Sequence, residues 1–275
     1  MTKQVLITKQ DGTKEPFEVE KLRESLTRAG ATKEEIDGVV DYVEKDLKEG
    51  MSTSEIYKHA FSYLERQEKP VAARYSLKRA IMELGPSGYP FENFIAEIFR
   101  AKGYDVKVDT IVQGACVEHE VDILAKKGGQ KIGAEVKFHN RLGIRSDLKV
   151  ALYVHSRFED IRNGESTENQ INEDWLITNT KFTKNAIKYA ECVGLKLISW
   201  NYPKGADLHG LIEETGVQPV TALTTLSGVE KNRLLEQKVV LCKNIENNEE
   251  ILHSLGLSKQ KIEDVMTESQ ALCGI

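Results

Sequence analysis

The stretch Glu118-His-Glu-Val-Asp-Ile-Leu-Ala-Lys-Lys-Gly-Gly-Gln-Lys-Ile-Gly-Ala-Glu-Val-Lys137 constrains this chain more than any other. Val121, Ile123 and Ala125 alternate with polar or larger residues before Gly128-Gly129, and Ile132, Ala134, Val136 and Phe138 alternate after it. That is the period-two pattern of two strands joined by a tight turn. With Gly128-Gly129 as the turn, Asp122 lies across from Glu135 and Glu120 across from Lys137, with Cβ atoms about 4.5–5.5 Å apart on one face. A slip of one residue would undo this arrangement. Two carboxylates held this close repel unless a cation lies between them, and their oxygens suit a hard ion such as Mg2+ or Mn2+. Glu135 and Lys137 share the face, where an ammonium can orient an attacking water or steady the charge on a phosphate. The set suits phosphodiester hydrolysis; an exposed face that Glu and Lys merely solvate is the plain alternative.

Asp122 followed by Glu135-Val136-Lys137 resembles the PD-(D/E)xK nucleases, and over residues 88–202 the chain resembles their Mrr-like restriction endonuclease branch. Tyr89-Pro-Phe-Glu-Asn-Phe-Ile-Ala-Glu-Ile-Phe-Arg-Ala-Lys-Gly-Tyr-Asp-Val106 is similar to that branch's opening helix and first strand. Trp175 to Ala190, followed by Gly194-Leu-Lys-Leu-Ile-Ser199, is similar to its closing strand, helix and strand. Val121 stands where the family usually has proline, and Glu135 where many relatives have glutamine. The resemblance implies a DNA substrate, with Asp122, Glu135 and the Val136 carbonyl as Mg2+ ligands, Lys137 at the attacking water and Glu92 as a helper acid. Phe91, Phe94, Ile95, Ile98 and Phe99 form an apolar helical stripe, and Glu92 shares its edge. A first-turn glutamate answering the helix dipole is the other reading of Glu92. His139 either touches substrate or a metal-bound water, or is an ordinary polar residue.

At 275 residues the length suggests about two domains, and 40% hydrophobic residues without a long apolar run exclude a membrane-spanning helix. The start lacks a signal peptide, so a cytoplasmic location is expected. Cys116, Cys192, Cys242 and Cys273 are scattered without close pairs, as reduced thiols would be. The formal charge is −5. Lys126, Lys127, Lys131, Lys137, Arg141, Arg145 and Lys149 nevertheless form a basic strip beside the acids, suited either to phosphates or to water.

Val5 to Phe17 reads as a hairpin turning at Asp11-Gly12. A helical stripe of Val19, Leu22, Leu26 and Ala29 stops at Gly30. Thr32 and Glu35 form a capping box before a helix with Ile36, Val39, Val40, Val43 and Leu47 inward. Helices over Thr53 to Arg66 and Val71 to Leu84 follow, and Gly85-Pro-Ser-Gly88 is the candidate linker. Residues 3–84 resemble an ATP-cone, a nucleotide-binding regulatory module. The matching residues are Thr8-Lys-Gln-Asp-Gly-Thr-Lys-Glu15, Glu20-Lys-Leu22, Thr53-Ser-Glu-Ile56 and Ala72-Ala-Arg-Tyr75. The resemblance implies ATP or dATP bound as an effector by Lys9, Glu15, Lys21, Leu22 and Thr53, with Tyr57 beside the base. Gln10 replaces the usual arginine after Lys9. No P-loop is present.

Downstream, Ser146 is expected to cap a helix through Leu148, Leu152 and Phe158, and Asn163 to Gln170 to form a mobile loop. Trp175–Thr178, a Thr183-capped helix and Leu195–Trp200 form a βαβ unit, hence a mixed sheet flanked by helices. Leu223 to Cys242 faintly resembles a helix-hairpin-helix, against which the acidic Glu213, Glu214, Glu246, Glu249 and Glu250 favour a packing or dimerising domain. The expected chain is therefore a multi-domain α/β protein: a mostly helical ATP-cone with a small β-hairpin at 1–85, a restriction-endonuclease-like domain at 88–204 and a helical segment at 206–275. The expected function is a Mg2+-dependent DNA endonuclease regulated by ATP or dATP, assembling as a homo-oligomer. The alternatives are a non-catalytic, nucleotide-responsive DNA- or protein-binding regulator and a purely structural partner.

Overall fold

The computed structural model describes residues 5–9, 12–67, 69–141, 143–164, 171–246 and 248–273. The turn residue Asp11, the neighbouring Gln10 and loop residues 165–170 lie outside them.

The first module opens with β1 (Leu6–Thr8) and β2 (Lys14–Pro16), antiparallel with Ile7 opposite Glu15. The hairpin is pinned to the loop after the second helix: the Thr8 N–H donates to the Met51 carbonyl at 2.9 Å and the Gly50 N–H to the Leu6 carbonyl at 2.8 Å. Helices α1 (Val19–Arg28), α2 (Lys33–Asp46) and α3 (Thr53–Gln67) follow. The expected Thr32–Glu35 capping box is present on α2. Leu22, Leu26, Ile36, Val39, Val40, Val43, Ile56, Ala60 and Leu64 form this module's core. α4 (Lys69–Met82) divides its buried face between two cores: Val71 and Ala72 pack into the first module, and Ala73, Leu77 and Ile81 into the next.

The central module is a five-stranded mixed sheet in the order β3 (Asp105–Gln113), β4 (Glu118–Lys127), β5 (Gln130–Lys137), β7 (Glu173–Thr178), β9 (Lys196–Ile198). β3, β4 and β5 are antiparallel; β7 and β9 run parallel to β5, with α7 (Lys184–Val193) making the expected crossover. α5 (Tyr89–Ala101) covers one face together with C-terminal helices, and α6 (Leu148–Arg162) and α7 cover the other. A short parallel pair, β6 (Arg145–Ser146) and β8 (Lys181–Phe182), closes the end of the sheet.

Three local expectations are corrected. Asp147, whose carboxylate accepts from the Lys149 and Val150 N–H groups, caps α6. Ser146 is instead buried in β6. The apolar stripe of α6 is Ala151, Val154, Phe158 and Ile161, which keeps the expected Phe158 but turns Leu152 outward. Leu223 to Leu241 contains one helix, α9 (Gly228–Glu236), and an extended return held by Val220 N–H to the Val240 carbonyl at 2.8 Å, not a helix-hairpin-helix.

The tail comprises α8 (Leu208–Thr215), α9, α10 (Cys242–Glu246), α11 (Glu250–Ser254) and α12 (Lys259–Cys273). Buried Glu268 of α12 holds the Thr224 and Thr225 N–H and hydroxyl groups at 2.5–2.9 Å. Cys242 is buried in the tail, where its Sγ donates to the Pro219 carbonyl at 3.2 Å. No helix among the described residues is long and apolar enough to cross a membrane.

Gly133 on β5 lets α6 approach the sheet, because a Cβ there would fall 2.5 Å from Ile171 Cδ1 and 2.7 Å from Phe158 Cε1. Gly133→Ala should therefore cost about 1–3 kcal/mol, as overpacking does. A urea melt matching wild type would refute this reading of the contact.

Candidate functional site

The expected hairpin register is present: Lys127 pairs with Gln130, and the ladder runs in step to Ile123 opposite Ala134. It ends there, one pair short of Asp122 and Glu135, and the expected facing of Glu120 and Lys137 lies beyond its end. On the other side, Val108–Ile123 and Thr110–Val121 pair, but the Asp109–Asp122 position between them is skipped. Asp109 adopts φ 47°, a left-handed conformation that aspartate tolerates better than most side chains. The break reverses the facing of β4: Ile123 and Ala125 pack toward α5, whereas Val121 packs toward α6 and α7. Strict alternation through Val121 is thus corrected. Asp122 occupies the kink, and its Oδ2 accepts the Val136 N–H at 2.6 Å.

The kink gathers acids. Burial and the neighbouring Glu135 push the Asp122 carboxyl up to about 7, against the lowering effect of the Val136 N–H and Arg157. Glu92, in the first turn of α5, is also raised to about 7, by burial and then by Asp122, Asp109, Glu135 and Glu120. The helix dipole would lower it, so burial and the neighbouring carboxylates outweigh the dipole. Oε1 of Glu92 lies over Gly88, where a Cβ would approach it to 2.6 Å. Glu135 is raised by burial, against the pull of Arg157 and Lys137. Lys137 is exposed at the end of β5.

Arg157 of α6 is the feature that sequence reasoning missed. Its Nη1 donates to Glu135 Oε2, and also to the Glu120 carbonyl at 3.0 Å. Its Nη2 donates to the Tyr153 hydroxyl, and its guanidinium lies 4.6 Å from the Tyr153 ring centroid. Its Nε is buried without a hydrogen-bond partner. The available signal was a basic residue bordering the Val154–Phe158–Ile161 stripe. Asp109 was also missed, because its place opposite Asp122 requires the β3–β4 register.

His139 is held in place: its N–H donates to Asn179 Oδ1 at 2.8 Å, its carbonyl accepts from Asn179 Nδ2 at 2.8 Å, and Nε2 lies 3.0 Å from Ser146 Oγ. Burial lowers its pKa. These contacts give it a structural role. The basic strip is corrected: Lys126, Lys127 and Lys131 are at the turn end of the hairpin, where Lys127 Nζ donates to the Lys102 carbonyl at 2.6 Å. Lys137, Arg141, Arg145 and Lys149 follow the other end of β5, the end bearing Asp122 and Glu135.

Among the described residues, no three His, Cys, Asp or Glu side chains form a metal-holding group. What does fit a hard divalent ion is the carboxylate pair Asp122 and Glu135 with the Val136 carbonyl. Burial raises both carboxyls, and Glu135 raises Asp122 further, a cost that a cation would relieve.

In the first module, a cavity of about 520 Å3 is lined by Lys21, Thr53 and Tyr57, among others. Lys9 and Glu15 connect to it through Lys21: Lys9 pairs with Glu15 at 2.5 Å, and Glu15 lies 3.7 Å from Lys21. Leu22, expected to cover a base, is buried in the module's core instead.

A helical module with a basic cavity, joined to a mixed sheet with acids and a lysine at a strand end, defines a nucleotide-cone protein carrying a restriction-endonuclease-like domain. Comparison with known families agrees: residues 5–83 match the ATP cone domain, residues 85–202 the Mrr-type restriction endonuclease domain, and residues 219–273 the family described as AF1548-like, C-terminal. An uncharacterized protein of Archaeoglobus fulgidus is 36% identical over 181 residues, covering 66% of this chain and 100% of the relative. A crystal structure described as a protein of unknown function, AF1548, matches with a TM-score of 0.56 and 34% identity, over 68% of this chain and 99% of that one. The chain belongs to this AF1548-like family.

Proposed function

We propose that this is a cytosolic, metal-dependent endonuclease that hydrolyses DNA phosphodiester bonds under the control of ATP or dATP bound at the cone. The observation that carries the reading is the kink at Asp122, which gathers Asp122, Glu135 and Glu92 beside exposed Lys137. Asp122, Glu135 and the Val136 carbonyl would hold Mg2+ or Mn2+. When bound, such an ion supplies Lewis-acid stabilisation and an activated water. Lys137 orients the attacking water and neutralises charge on the scissile phosphate. Glu92, with its pKa near 7, is suited to take a proton at neutral pH. Arg141, Arg145 and Lys149 supply backbone phosphate contacts. On the cone, Lys21 and Thr53 meet the nucleotide, with Lys9 and Glu15 setting the position of Lys21.

One observation favours a second reading. Arg157 already neutralises Glu135, as an internal cation would in a non-catalytic, nucleotide-responsive DNA- or protein-binding regulator.

The deciding experiment is cleavage of plasmid and of modified and unmodified linear DNA in Mg2+ or Mn2+, with and without ATP and dATP. The nuclease reading expects cleavage that changes with nucleotide and falls about 10^2-fold or more in Lys137→Ala. Inactivity on every substrate, with nucleotide still bound, would establish the regulator instead.

A further inference from the structure

The cavity of the cone module is not closed by the cone alone. One wall carries Lys21, Thr53 and Tyr57; the opposing wall comes from the segment after β9 and from α8, through Trp200, Asn201, Asp207 and His209. Its volume of about 520 Å3 lies within the usual range of small-ligand sites. Lys21, Arg28, Arg74 and Lys78 all line it, and its facing carboxylate, Asp207, accepts the Gly210 N–H at 2.9 Å as the cap of α8. Arg74 is positioned by its Nε, which donates to the Ala29 carbonyl at 2.9 Å. Lys78 is half-buried near the charges of Arg28 and Lys181. Such an excess of cations calls for a polyanion.

The walls also carry aromatic pairs. Tyr57 and Tyr75 stack at 5.3 Å on the cone side, and Trp200 and His209 meet edge-on at 5.3 Å on the other. Lys78 lies 6.0 Å from the Trp200 ring, joining the walls.

We infer that the nucleotide site is composite: an adenine nucleoside triphosphate sits between the modules, its phosphates among Lys21, Arg28, Arg74 and Lys78 and its remainder against Trp200 and His209. The inference rests on the cone binding adenine nucleotide, and adds that the nuclease-like half of the chain supplies part of the site. Both walls reach the end of β5. The Trp200 N–H donates to the Thr180 carbonyl at 3.4 Å, next to the Asn179 that clamps His139. One turn after Lys78 on α4, Met82 Sδ accepts from Asn179 Nδ2 at 3.1 Å. Nucleotide held by both walls thus binds one relative placement of the modules better than others, the condition for a ligand to shift their equilibrium.

The chain contains two tryptophans, so Trp175→Phe leaves Trp200 as a single reporter. ATP titrated into that full-length variant should change its fluorescence saturably, and Trp200→Phe, His209→Ala and Thr53→Ala should each be compared by calorimetry in the full chain. The composite site predicts ATP binding weakened about tenfold or more in His209→Ala, measurably in Trp200→Phe, and lost in Thr53→Ala. Unchanged affinity in both the Trp200 and His209 variants, with loss only in Thr53→Ala, would overturn the composite site and leave the cone reading standing. Failure of wild type to bind ATP would overturn the cone reading itself, and the composite site with it.

Discussion

Replacing Asp122 by asparagine is expected to abolish DNA cleavage while making the metal-free protein more stable at alkaline pH. The loss of activity, about 10^3-fold or more, follows from removing a carboxylate that would hold the ion. The gain in stability follows from the burial of Asp122 beside Glu135, which pushes its pKa up to about 7 from an ordinary 3.8. The folded state therefore holds this proton more tightly than the unfolded chain. The associated stabilisation is complete below pH about 4 and is lost as pH rises through about 7. At pH 8 with chelator, wild type carries an unfavourable buried charge worth on the order of 3–4 kcal/mol, which asparagine lacks. Asparagine keeps an oxygen for the Val136 N–H. The variant should melt roughly 5 °C or more above wild type at pH 8 and level with it at pH 4. A variant less stable than wild type at pH 8 would show that Asp122 is a net stabilising group.

Arg157→Met should destabilise the protein by about 3–5 kcal/mol at pH 8, because it leaves Glu135 as an unpaired buried charge. The two side chains are 12% and 14% exposed, so this is not a surface pair of negligible worth. Arg157 lowers the Glu135 pKa, which burial has already raised. Without the guanidinium that pKa rises further, so the folded variant holds the Glu135 proton to higher pH and loses its stabilisation as pH increases. The deficit measured by urea unfolding should be clearly smaller at pH 5 than at pH 8. An equal deficit at both would assign it to lost packing of the arginine stem rather than to charge.

The parts legible in the sequence rest on local chemistry. Gly128-Gly129 and alternation set the hairpin register, Thr32 and Glu35 mark a helix start, and Trp175 to Trp200 reads as a parallel crossover. The parts that were not legible depend on where distant segments meet. Asp109 lies opposite Asp122 only once β3 and β4 are in register, and the kink between them sends Val121 to the face opposite Ile123. Arg157 reaches Glu135 from a helix on the far side of a long connection. The basic strip failed because a strand advances about 3.3 Å per residue, so Lys131 and Lys137 stand roughly 20 Å apart. Leu22 and Lys21 are adjacent in the chain, yet one is core and the other lines the cavity.

Single-turnover cleavage of a linear duplex, with protein in excess and Mn2+ present, tests most directly whether the kink at Asp122 is a working phosphodiesterase site. Wild type should cut the duplex, and Lys137→Ala should bind it with similar affinity but cut about 10^2-fold or more slowly. Equal rates in the two proteins, or no cutting by wild type, would contradict it.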